Sequence, residues 1–176
     1  MTTLLFTHPA SLRHVTPGGH PERIDRIKAV NQILANEHFK DLARREAPQG
    51  RDEDILRAHA YEHLERLRAV APVEGFEYLD SDTVMSTGTL EAALRAVGAA
   101  TAGVDAVFRG EADNVFCALR PPGHHAETRR AMGFCLFNQA AIAAHYARHH
   151  YQAERVAVVD FDVHHGNGTQ DIFWSD

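Results

Sequence analysis

The chain opens with a short apolar run, Thr3 to Thr7, that suits a first strand, and Pro9, Pro17, Gly18 and Gly19 then mark a loop. Apolar residues next recur at three- and four-residue spacing, at Ile24, Ile27, Val30, Ile33 and Leu34, which predicts a helix opened by Pro21 and running to about Phe39. Asp54 to Val70 repeats that period through Ile55, Leu56, Leu64 and Leu67 and reads as one helix. Thr89 to Phe108, rich in alanine and bracketed by Gly88 and Gly110, reads as another. Val115 to Leu119 is continuously apolar and β-prone, the profile of a strand buried on both faces. An Ala-rich helix follows from Asn138 to about His150, and Val156 to Val159 has the profile of the next buried strand.

Buried strands alternating with helices of this length need crossover connections, so the pattern predicts an α/β fold: an open parallel sheet with helices on both faces. No repeat, low-complexity tract or linker divides the 176 residues, and a single unit is expected. In sheets of this kind the functional crevice lies outside the carboxyl ends of the strands. Both chemically loaded segments of the chain follow such ends.

Composition narrows the function classes. With 44% hydrophobic and 24% charged residues the sequence is that of a globular protein, and a net charge of −6 lacks the basic face that direct nucleic-acid binding requires. Cys117 and Cys135 sit in apolar company and read as reduced core residues. The start has no basic, apolar leader and no later segment is apolar for long enough to span a membrane, so a cytoplasmic protein is expected.

After the strand ending at Leu119, Arg120-Pro121-Pro122-Gly123 forms a rigid turn that presents His124 and His125. Imidazole suits proton transfer near neutrality. A second tandem pair, His149-His150, has neither turn nor strand before it, and it reads with His38, His63 and His145 as solvated or packed. After Val156 to Val159 comes Asp160-Phe161-Asp162-Val163-His164, whose period of two would turn Asp160, Asp162 and His164 to one side and pack Phe161 and Val163 on the other. Clustered carboxylates and imidazole are costly to bury unless paired or metal-bound. Asp162 and His164 are the natural ligands for a catalytic zinc, with Asp160 behind them orienting a histidine, and Gly166 and Gly168 permitting a sharp turn.

Taken together, Arg120 to Ala126, Gly133-Phe134-Cys135 and Asp160-x-Asp162-x-His164-His165-Gly166-Asn167-Gly168 resemble the histone deacetylase and acetylpolyamine amidohydrolase superfamily, in its class II and bacterial deacetylase-like branch. The resemblance runs from His20-Pro21-Glu22-Arg23 to the last residue. It implies the arginase-deacetylase fold and hydrolysis of an N-acetyl amide, in acetylated lysine or an acetylated polyamine, by a zinc-activated water. By it Asp162 and His164 match two zinc ligands, His125 the proton-transferring base and His124 its electrostatic partner held by Asp160. Asn167 matches the support of His125; being neutral, it leaves that ring readier to act as a base. Gly133 and Phe134 match the wall of the acyl tunnel, Arg23 a residue beneath the site, and a structural monovalent cation such as K+ is implied near Asp160, Asp162 and His164.

The chain departs from the family pattern at Ile24-Asp25, where a proline usually follows Glu-Arg. The resemblance also implies a domain left incomplete at the C-terminus, with a third ligand and an oxyanion-binding Tyr lying beyond Asp176. Two other readings compete: a catalytically inert fragment, and a binuclear manganese ureohydrolase, which needs a ligand where Gly166 stands. A bare strand edge would further favour homo-oligomers.

Overall fold

The computed structural model describes residues Met1 to Asp176. Strand β1 (Thr3–Thr7) lies at the centre of a three-stranded parallel sheet, between β2 (Ala43–Glu46) and β5 (Asn114–Cys117). Its alternate side chains serve two faces. Leu4 and Phe6 pack with Ala99 and Ala106 of helix α4 (Thr89–Phe108), whereas Leu5 packs with Leu34 of α1 (Ile24–Leu34). Helices therefore cover both faces, as the alternation of elements predicted.

The largest core lies beside the sheet. Ile55 of α2 (Asp52–Ile55), Leu64 and Leu67 of α3 (Tyr61–Ala69), Leu94 and Val97 of α4, and Ile142 of α5 (Gln139–Tyr151) enclose Leu136 and Phe137. Leu136 and Phe137 are completely buried and end the loop that leaves the tandem histidines. That loop is thus clamped to the hydrophobic core at its far end. A short antiparallel hairpin, β3 (Phe76–Tyr78) and β4 (Val84–Ser86), completes the ordered elements together with α6 (Asn167–Ile172).

The prediction for α4 matches its observed bounds, but several others need correction. Arg23 is extended, so Pro21 lies outside α1; the helix stops at Leu34, and the Asn36 side chain accepts the His38 N–H to start a separate 3-10 turn, Glu37–Phe39. Asp54 to Val70 is two helices broken at 56–60, where His59 and Ala60 hydrogen-bond to the backbone of Glu127 and Thr128. β5 is an edge strand with Phe116 half exposed, and Cys117 lies on that open edge rather than in the core. Cys135 is buried, and burial pushes its thiol up to about 12.

Val156 to Val159 forms no strand. Residues 154 to 164 make no backbone–backbone hydrogen bond, and Val159, Phe161 and Val163 are more than four-fifths exposed. An apolar run reports a preference for burial, but a strand also needs a paired neighbour. Phe161 and Val163 consequently do not pack as expected.

Candidate active site

Arg120 is the first fixed point. Its guanidinium is buried against Glu22, which is itself inaccessible to solvent; Nε lies 2.8 and 3.0 Å from the two carboxylate oxygens, and Nη2 donates to the same group. Nη1 donates to the carbonyls of Ser11 and His14, at 2.8 and 3.0 Å. A planar donor fork with every arm occupied fastens the strand exit to the 8–23 loop. The turn to His124 starts from this anchor. Gly123 follows it with no room for a side chain, since a Cβ would fall 2.7 Å from the Phe137 carbonyl oxygen.

The two histidines stand with ring centroids 4.0 Å apart and have different partners. His124 Nδ1 donates to Asp160 Oδ2 at 2.8 Å, and His125 Nδ1 donates to Asn167 Oδ1 at 2.6 Å. The bond from His124, helped by the Asp162 backbone N–H, holds the Asp160 carboxyl below its usual range. The backbone does turn sharply at Gly166, where φ is −75° and ψ 67° and the Asn167 N–H donates to the His165 carbonyl at 2.9 Å, but neither Gly166 nor Gly168 has a positive φ, so it is not for the turn that glycines are needed. They allow close approach instead. A Cβ on Gly166 would sit 2.4 Å from Asp160 Oδ2, and one on Gly168 would sit 2.2 Å from the Ala126 carbonyl oxygen. With that space open, the Gly168 and Thr169 N–H groups donate to the His124 carbonyl at 3.0 and 3.2 Å.

Asp160, Asp162 and His164 are linked in series by local bends rather than by a strand. The Asp162 N–H donates to Asp160 Oδ1 at 3.1 Å and the His164 N–H to Asp162 Oδ1 at 2.8 Å, two successive side-chain turns of the kind aspartate favours. The His164 N–H is the leading cause that keeps the Asp162 carboxyl low. Asp162 Oδ1 and His164 Nδ1 are 3.1 Å apart on an exposed face, with the His164 and His125 ring centroids 6.1 Å apart. Two tetrahedral ligands at about 2.0–2.1 Å from a zinc ion would stand about 3.3 Å apart, so this oxygen and nitrogen fit as neighbouring ligands. No group of three or more His, Cys, Asp or Glu side chains in the chain has the geometry to hold a metal ion.

Gly133 and Phe134 adopt left-handed backbone conformations, with φ of 55 and 70°. For a phenylalanine this is costly and needs local support. The Phe134 N–H donates to Thr83 Oγ1, its ring meets His20 edge-on at 5.0 Å, and Gly133 lies so close to His125 that a Cβ would be 2.4 Å from the ring. Gly133 therefore adjoins the tandem pair, whereas the contacts of Phe134 are with Thr83 and His20. Arg23 does not adjoin the pair: it is exposed, pairs with Asp25 at 3.7 Å, and has no bond to the site, because the buried ionic position is filled by Arg120 and Glu22.

The pattern of the histone deacetylase domain matches residues 20–176. The chain belongs to the histone deacetylase family. It is 41% identical over 166 residues to the histone deacetylase-like amidohydrolase of Pseudomonas aeruginosa, covering 94% of this chain and 42% of that protein. A probable deacetylase of Archaeoglobus fulgidus is 35% identical over 179 residues, covering 100% of this chain and 49% of that protein. The crystal structure of the HDA15 HD domain superposes with a TM-score of 0.92 at 35% identity, over 98% of this chain and 50% of that one. The fold is thus the arginase-deacetylase α/β fold, and the chain spans about half the length of the relatives it matches. No helix is long and apolar enough to cross a membrane.

Sequence reasoning missed four contributors to this site. Glu22 is a buried counter-ion inside a motif read only for its resemblance. Glu127 bonds Asn167. Asn138 caps α5 and donates to Thr169 at 3.0 Å, and His59 accepts the Asn138 N–H at 2.9 Å. Only Asn138, at the start of an Ala-rich segment, carried a readable local signal.

Proposed function

We propose that the chain carries the histidine side of an amidohydrolase site that cleaves N-acetyl amides of the acetyl-lysine or acetylpolyamine type. The observation that carries this reading is the unlike pairing of two adjacent imidazoles. His125 Nδ1 donates to a neutral amide, which leaves Nε2 with a lone pair to accept a proton from the attacking water. The same Nε2–H then protonates the departing amine nitrogen as the amide C–N bond breaks, releasing acetate and the amine. His124 Nδ1 donates to a carboxylate, which fixes the orientation of its ring and sets a negative charge behind it, beside the reaction centre. Asp162 and His164 would hold a zinc ion, which when bound supplies Lewis-acid polarisation of the acyl carbonyl.

One observation favours a second reading for these 176 residues by themselves. A catalytic zinc takes three protein ligands, and Asp162 and His164 are two, both exposed. Calorimetric zinc titration with an acetyl-lysine turnover assay separates the readings: the inert one predicts weak binding and no turnover. In a full-length protein, Asp162→Ala should abolish zinc content, and His125→Ala should lower turnover by at least about 10²–10⁴-fold and more than His124→Ala. Stoichiometric zinc in the first variant, or a larger loss at His124, refutes the assignment.

A further inference from the structure

We propose that Glu127 is a positioning residue that decides which nitrogen of His125 carries the proton. The inference rests on reading His125 as the base and adds what that reading leaves open. An amide side chain presents an oxygen and an NH2 group of nearly the same shape. If the oxygen of Asn167 faces His125, Nδ1 must donate and Nε2 is free; if the NH2 faces it, Nδ1 must accept and the proton sits on Nε2. The contact between His125 and Asn167 does not by itself choose, because either arrangement makes one good hydrogen bond.

Glu127 chooses. Its Oε1 lies 3.0 Å from Asn167 Nδ2, and a carboxylate only accepts, so the reverse orientation would set two acceptor oxygens against each other. Met132 Sδ, 3.5 Å from the same nitrogen, takes its other hydrogen. The amide is therefore oriented from behind.

Glu127 is itself held on both sides. Its carbonyl accepts from the buried His59 Nδ1 at 3.0 Å, and the Ala60 N–H donates to the Thr128 carbonyl at 2.9 Å. The Thr128 N–H and Oγ1 both donate to Asp171 Oδ2, at 2.9 and 2.8 Å, on the helix whose first residue is Asn167. The turn bearing Glu127 and the helix bearing Asn167 are thus tied together independently of the bond between the two residues.

The test reads the tautomer directly, by proton–nitrogen correlation spectra of the His125 ring in mildly alkaline buffer. The unsubstituted protein should carry the proton on Nδ1. Glu127→Gln keeps an acceptor and should preserve that state. Glu127→Lys can only donate, so it should flip Asn167 and move the proton to Nε2; adding Asn167→Asp, whose carboxylate accepts from both neighbours, should return it to Nδ1. If the lysine variant fails to fold, Glu127→Leu removes the choice and should give a mixture of tautomers. A proton that stays wholly on Nδ1 in the lysine or leucine variant overturns the proposal, whatever the turnover. In a full-length protein Glu127→Lys should lower kcat by about 10²–10⁴-fold with KM little changed. A proton moved to Nε2 with turnover retained would leave the role of Glu127 standing and refute His125 as the base.

Discussion

Acid should unfold this protein through two histidines that take no part in the proposed chemistry. His14 and His59 are 2% and 3% exposed. Burial is the main cause that lowers each from 6.5 to about 4, with Arg120 also opposing a charge on His14 and His63 opposing one on His59. The geometry at His59 has the same sense, since Nδ1 donates to the Glu127 carbonyl and Nε2 accepts the Asn138 N–H, so a second proton would meet a donor. The folded pKa lies below the unfolded one, so the unfolded chain binds protons first and stability falls as pH drops from 6.5 towards 4. That fall, at about 1.4 kcal/mol for each tenfold change in proton affinity, amounts to roughly 3 kcal/mol for each ring. Two such rings outweigh much of a typical folding free energy of about 5–15 kcal/mol. Urea unfolding across this range should show stability declining as pH falls, with His8, His63 and His145, also lowered by burial, adding in the same direction, and His59→Gln should reduce the slope by up to about 1.4 kcal/mol per pH unit. The low carboxyls of Asp160 and Asp176 act in the same direction but mainly near and below the ordinary aspartate value of 3.8, so the window above it isolates the imidazoles. A flat profile there, or an unchanged slope in His59→Gln, refutes the reasoning.

Glu22→Ala strands a buried guanidinium beneath the turn that carries His124 and His125 and should cost about 3–5 kcal/mol, read by urea unfolding at neutral pH. A loss under about 1 kcal/mol would mean that water compensates Arg120. Gly168→Ala drives a methyl group into the Ala126 carbonyl and should cost about 1–3 kcal/mol while weakening the Gly168 bond to His124, visible as a lower Tm. An unchanged Tm would contradict the close approach. Exposed Val159, Phe161 and Val163 predict self-association of the 176-residue chain, so Phe161→Asp should raise the monomer fraction in light scattering. A wholly monomeric unsubstituted chain would contradict this.

What could be read from the sequence was whatever a local pattern determines. Helix α4 carries its own period and flanking glycines, and its bounds were legible residue for residue. The tandem histidines and the Asp160 to His164 cluster stood out because rare residue types sit at fixed spacing after apolar runs. Long-range partners left no such trace. β2, Ala-Arg-Arg-Glu, is wholly exposed and has no apolar signature; it is a strand only because β1 pairs with it. The break at 56–60 is imposed by the turn at 127–128, about seventy residues away, which a helical period cannot register. Arg23 shows the limit of resemblance, because its side chain is on the surface while the neighbouring Glu22 lies in the interior.

The site is built unevenly, and that asymmetry explains why its histidines bear structural as well as chemical demands. The tandem pair stands between two buried anchors, Arg120 with Glu22 before it and Leu136 with Phe137 after it. The segment carrying Asp160, Asp162 and His164 has no backbone pairing and reaches this framework through side chains, above all the bond from His124 to Asp160. The helix after it is fixed to the same loop by several contacts, among them His125 with Asn167, the His124 carbonyl with the Gly168 and Thr169 N–H groups, and Thr128 with Asp171. The residues proposed to move and balance protons are therefore also the tethers that bring the proposed zinc ligands into register. A large effect of His124→Ala on zinc affinity would follow from lost position as much as from lost charge, which is why the tautomer and zinc measurements, and not turnover alone, are needed to apportion the roles of the two rings.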